Sequence, residues 1–105
     1  MAISTAVVAQ TTPTAIYTSS GATAITWASF TNYIGSAATL TLHVVPSAGS
    51  ATNQNMILDA ESIVAGDTFG LYAAGEKLLL ENGDAIYAFS DTATAINAVI
   101  SYASI

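Results

Sequence analysis

The chain has no cysteine and a single basic side chain, Lys77. Without thiols it can build neither a disulfide framework nor a thiolate metal site, so its stability has to come from packing or from partners. One lysine stands against seven acidic residues, for a formal charge of −6. The several cationic contacts that phosphate binding demands have no donors here, which argues against nucleic acid as a partner. Apolar residues make up 52% of the chain, yet no run approaches the roughly 20 residues needed to cross a bilayer as a helix, and no membrane partner is expected. The start, Met1-Ala2-Ile3-Ser4-Thr5, lacks the basic residues and continuous apolar core of a secretory signal, so synthesis in the cytoplasm is the expectation.

Charge of either sign is scarce as well. Charged residues are 8% of the chain, where about 25–35% is usual for the surface of a soluble monomer. Alanine, threonine and serine fill much of the space, 46 of the 105 residues. Such an exterior is either a neutral surface tolerated in solution or one covered by neighbouring subunits, because the centres of protein interfaces are depleted in charge.

The length allows one domain, and its pattern is that of short strands. In Thr39-Leu40-Thr41-Leu42-His43-Val44-Val45, Leu40, Leu42 and Val44 alternate with Thr39, Thr41, His43 and Val45, the mark of a half-buried strand. A slip of one residue would turn the leucines outward, so this strand should fix the register of its neighbours. Ile3 to Val8 is β-prone and is cut off by Thr11-Thr12-Pro13, predicting a strand or arm over residues 1–13 ahead of a sandwich over 14–105. The uncharged stretch Met1 to Thr12 suits contact with another protein. Thr14–Thr18 is a second strand; Ala22 to Asn32 a third, with Ile25 and Trp27 on one face. Trp27 reads as a core anchor rather than a stacking platform for a sugar or base. Gly35-Ser36 suits a hairpin making this strand the antiparallel neighbour of the leucine strand. Residues 47–55 form the longest loop. Further strands are expected over Met56–Val64, Thr68–Tyr72, Glu76–Leu80, Asp84–Phe89 and Thr94–Tyr102, with turns at Ala65-Gly66-Asp67, Ala73-Ala74-Gly75 and Asn82-Gly83, the last a hairpin dipeptide. Some eight short strands without a helical period predict an all-β antiparallel sandwich, jelly-roll-like, with an up-and-down barrel as the alternative.

Catalytic chemistry finds no foothold in this pattern. His43, the only histidine, has no nucleophile or orienting acid at a motif spacing and reads as a hydrogen-bonded structural residue. Asp59 and Glu61 on one strand face, with Asp67 nearby, are the one group of oxygens resembling a weak calcium site, against the commoner reading of solvated carboxylates. No catalytic, cofactor-binding or metal residues are assigned, no cofactor is expected, and an enzyme is disfavoured.

Ser36-Ala37-Ala38-Thr39-Leu40-Thr41-Leu42-His43-Val44-Val45-Pro46-Ser47, its following small-residue loop, and Leu80-Glu81-Asn82-Gly83-Asp84-Ala85-Ile86-Tyr87-Ala88 resemble the small β-sandwich structural proteins of tailed bacteriophages, over roughly residues 20 to 103. The resemblance implies a virion component made in the host cytoplasm: a capsid decoration (cement) protein, or a module of the neck, tail or fibre. It further implies a homotrimer as the assembly, with the major capsid protein or other virion proteins as partners. A carbohydrate-binding module is the reading from another class; its usual row of exposed aromatics is not evident, since Trp27, Tyr33, Tyr72 and Tyr87 fall among candidate core strands.

Overall fold

The computed structural model describes residues 2–8, 11–71 and 77–105. Two antiparallel sheets pack face to face as a β-sandwich. Among the described residues nine strands form them: β1 (Ala2–Val8), β2 (Thr14–Thr18), β3 (Thr23–Asn32), β4 (Ala38–Val45), β5 (Met56–Ile63), β6 (Thr68–Leu71), β7 (Leu78–Leu80), β8 (Ala85–Phe89) and β9 (Ile96–Ser104). One sheet has the order β1-β9-β3-β6, with β7 also on β3; the other is β2-β8-β4-β5. β6 pairs with Ala28–Thr31 and β7 with Thr23–Ile25, so they share one lane beside β3, and nine strands occupy eight places. Tyr72 and the Ala73-Ala74-Gly75 break lie outside the described residues.

Between the sheets lie Val8, Ile25, Phe30, Leu40, Leu42, Ile86, Ile96 and Ile100, all essentially inaccessible to solvent. The alternation read in β8 and β9 holds: Ile86 and Ala88 are buried while Tyr87 and Phe89 are half-exposed, and Ile96, Ala98 and Ile100 are buried while Asn97, Val99 and Ser101 face out. Segment 1–13 supplies β1, which pairs with β9 from Ala2↔Tyr102 to Val8↔Ile96.

Three expectations need correction. The leucine strand β4 is buried on both faces, not one: Leu40 and Leu42 enter the core, while Thr41 and His43 on the opposite face are covered too. Trp27 is no core anchor; it is 41% exposed. The pairing of β3 with β9 shifts register between Ile25 and Trp27, and this extra residue, Thr26, reverses the alternation so that Ala28 and Phe30 point inward and Trp27 outward. The Thr26 hydroxyl is 3.0 Å from Ser101 Oγ, which anchors the bulge.

The third correction concerns connections. Gly35-Ser36 does not make β3 and β4 neighbours, and Asn82-Gly83 does not join a hairpin, because in both places the chain crosses from one sheet to the other. Among the described strands, β4 and β5 are the one pair adjacent both in sequence and in a sheet. Polar side chains tie both ends of the sandwich. Fully buried Asn32 donates from Nδ2 to the carbonyls of Ser36 and Ile63, both at 2.8 Å, and accepts the Ile34 amide. At the other end Asp84 accepts the Ser47 amide on Oδ1 and the Glu81 amide on Oδ2, each at 2.9 Å. Gly83 beside it sits at φ 89°, and a Cβ there would run into the Ser47 side chain.

Candidate functional site

The two outer faces of the sandwich are built differently. On the four-stranded sheet, the segment between β4 and β5 folds over His43. The imidazole Nδ1 donates toward the Thr52 carbonyl at 3.0 Å and Asn55 Oδ1 at 2.9 Å, and Asn55 is held by the Thr52 amide and the Ser50 carbonyl. Both partners of Nδ1 are acceptors, so this nitrogen carries a proton. The ring stacks on Phe89 with centroids 6.2 Å apart. His43 is therefore the pin of the long loop, whose Asn53–Asn55 forms a short 3₁₀ turn; it meets neither a carboxylate nor a nucleophile in these bonds.

The carboxylates considered for calcium are separated by a bulge. Leu58 lies opposite Leu42 and Glu61 opposite Leu40, with the irregularity between them; Ala60 there has φ 50° and donates its amide to Thr41 Oγ1. The alternation that put Asp59 and Glu61 on one face is broken at this point. Asp67 sits in the turn that leads to β6, its amide bonded to the Val64 carbonyl. Among the described residues no three acidic or imidazole groups converge on one point. At Asp91 the Thr39 amide, 2.9 Å from Oδ1, holds the carboxyl below its ordinary value.

The outer face of the other sheet carries no covering loop among the described residues, and the sequences of its five strands contain no charged residue. Cross-strand register places Val7, Asn97, Thr31 and Thr68 in one row, Thr5, Val99, Ser29 and Gly70 in the next, and Ile3, Ser101 and Trp27 in a third. Ile3, Val7, Trp27 and Leu79 are the large apolar side chains exposed along it, with Tyr33 just past the end of β3. Thr31, Tyr33 and Asn97 line an open groove of about 410 Å³. This face, with its aromatic rings and amide and hydroxyl groups, can make apolar and hydrogen-bonding contacts, and its described strands contribute no ionised side chain for acid–base chemistry.

Sequence reasoning missed the face because the Thr26 bulge turns Trp27 outward, and no residue type marks a bulge at that position. The scarcity of charge in Ala22–Asn32 and Thr94–Tyr102 was the available sign. Compared with protein-family models, curated proteins and solved structures, the chain has no match.

Proposed function

We propose that the chain is a non-enzymatic structural subunit of a tailed-bacteriophage particle, a decoration (cement) protein seated on the capsid exterior and acting there as a homotrimer that stabilises the shell. The observation that carries the reading is the uncharged outer face of the five-stranded sheet. In a chain of net charge −6, the acidic residues of the described strands are confined to β5, on the other sheet. A face without charge can be desolvated against a protein shell with no ion left unpaired.

Topology supports the same reading. The order β1-β9-β3-β6/β7 over β2-β8-β4-β5 is the arrangement we assign to a jelly roll, two sheets of nested Greek keys, an architecture used by viral capsid proteins and by lectins alike. Fold alone does not carry function; the uncharged face does. The test is binding to purified capsids stripped of accessory proteins, with Val99→Lys as the disrupting variant. Wild-type protein should co-sediment with the shells, stabilise them against heat, and lose most binding on substitution. Absence from purified virions and no co-sedimentation would overturn the reading; presence only on tail fractions would move it to a neck, tail or fibre module.

A specific observation favours a second reading, a carbohydrate-binding module. Trp27 and Tyr33 are 41% and 56% exposed, and the groove between Thr31, Tyr33 and Asn97 offers the amide and hydroxyl partners that a sugar uses. Because Trp27 is the only tryptophan, oligosaccharide binding across this face should change its fluorescence, and a glycan panel that leaves the emission unaltered would exclude it.

A further inference from the structure

The sandwich has four edge lanes, and three carry features that discourage another strand from pairing with them. β5 holds Asp59 and Glu61, two register shifts and the left-handed Ala60. β2 is five residues long, follows Pro13 and is bulged between Ala15 and Tyr17. The lane beside β3 is split between four-residue β6 and three-residue β7. Charges, bulges, proline and shortness are the known means of blunting an edge. β1 has none of them: it runs seven residues with no charge, proline or register shift against β9, and no described strand pairs with its other side.

The backbone groups on that free side can be identified. The Val8 carbonyl is turned to the β9 side, where it accepts the amide of Thr94, two residues before that strand begins. Direction alternates along an antiparallel strand, so Ala2, Ser4, Ala6 and Val8 bond inward to β9, and Ile3, Thr5 and Val7 direct their amides and carbonyls to the open edge. The other side of the sheet gives the same parity: the Tyr33 amide reaches the Ala95 carbonyl toward β9, while Asn32 bonds Asp67 and Gly66 toward β6.

We infer that the free edge of β1 pairs with β1 of a second copy of this chain, antiparallel across a two-fold axis at Thr5. The occupant follows from self-complementarity. With Thr5 opposite its own copy, Ile3 of each chain faces Val7 of the other, so that Ile3, 70% exposed, and Val7, 43% exposed, cover each other as an apolar cross-strand pair. The same register joins the six free backbone groups of each edge as reciprocal hydrogen bonds, and it brings no like charges together, which the acidic edge of β5 would do. An edge contact of this length is smaller than the roughly 1,200 Å² of a stable interface; it forms at high local concentration, as on a particle or in concentrated solution. The inference does not rest on the virion reading. Because it uses the edge rather than the sheet face, it covers Ile3 and Val7 at the margin, leaves the β9, β3 and β6 part of that face free, and would link one proposed trimer to the next.

Since the chain has no cysteine, single introduced cysteines test the register directly. In the paired geometry the two Thr5 Cα atoms lie about 5.5 Å apart, inside the disulfide range of about 4.4–6.8 Å, whereas the two Ile3 positions are roughly 13 Å apart, four residues along the strand. Under mild oxidation at high protein concentration, Thr5→Cys should form a covalent dimer and Ile3→Cys should not, while Ile3→Cys mixed with Val7→Cys should cross-link. Thr5→Lys, which places two cations opposite each other, should raise the dissociation constant at least tenfold by sedimentation, with its circular dichroism melt reporting that the monomer still folds. Equal cross-linking of Ile3→Cys and Thr5→Cys overturns the register. Dimers that form without the Thr5 cross-link place the contact elsewhere, and monomers alone at millimolar concentration refute it.

Discussion

Over β4 the chain supplies its own roof; over β3 and β9 it supplies nothing among the described residues. The two outer faces begin from similar materials, threonine, serine and a few aromatics on alternating strands. Apart from the two acidic residues of β5, their difference lies in the connection that follows. The β4–β5 link is long enough to fold back, and His43 gives it a polar anchor on an otherwise apolar and hydroxyl-bearing surface. Polar side chains on a sheet face are thus no sign that the face is wet: Thr41 and His43 are as inaccessible as many core residues. Nor is an aromatic on a strand a sign of burial, as Trp27 shows.

Substitutions can break or sharpen this contrast. The inner sides of the two strands should be comparably packed, so Phe30→Ala should cost about 3–5 kcal/mol and Leu42→Ala about 2–5 kcal/mol in denaturant melts, the usual losses for emptying core sites of these sizes. A much smaller value for either would mean that its sheet is loosely packed. Next in size, His43→Leu removes the donor that holds the roof and should cost about 1–2 kcal/mol, with faster hydrogen exchange at Thr52 and Asn55 than elsewhere. Trp27→Ala on the bare face should change monomer stability by less than about 1 kcal/mol, while altering whatever binds that face; a loss equal to that of His43→Leu would show that the face is covered.

The smallest effect concerns pH. Asp91 has its folded pKa lowered by the Thr39 amide, so its contribution is present in full above the unfolded value of about 3.9 and is lost as pH falls through that value to the folded one. Asp91→Asn should therefore melt slightly lower than wild type above pH 5, and the two curves should converge below about pH 4. A gap that persists at low pH would assign the difference to something other than this carboxylate.

Periodicity carried most of the strand assignments because β8 and β9 each bury one consistent set of alternate side chains over most of their length, and the alternating leucines of β4 enter the core even though its other face is covered too. Two kinds of information were not local enough to read. A bulge such as Thr26 depends on what the partner strand does, here on Ser101 across the sheet. Sheet membership depends on the far side of the fold: Gly35-Ser36 and Asn82-Gly83 are turn-forming in either case, and only buried Asn32 and the paired Ser19 and Asp84 backbones show that the chain is changing sheets. Asn32 in particular looked like the end of a strand, with no sequence neighbour announcing that Ser36 and Ile63 would need its amide. The candidate face was legible as missing charge, and its outline was not.

The pairing of β1 with β9 also sets an order of events. β9 lies between β1 and β3, so the first strand of the sandwich to be synthesised has no lateral partner until the last is complete. Through most of synthesis both sides of β1 are open. Pairings between strands so distant in sequence form late and slowly, and in that interval a β9 from another copy offers β1 the same seven register positions as its own. Any exchange of this strand between copies would turn on timing, on whether the growing chain closes on itself before a neighbour arrives.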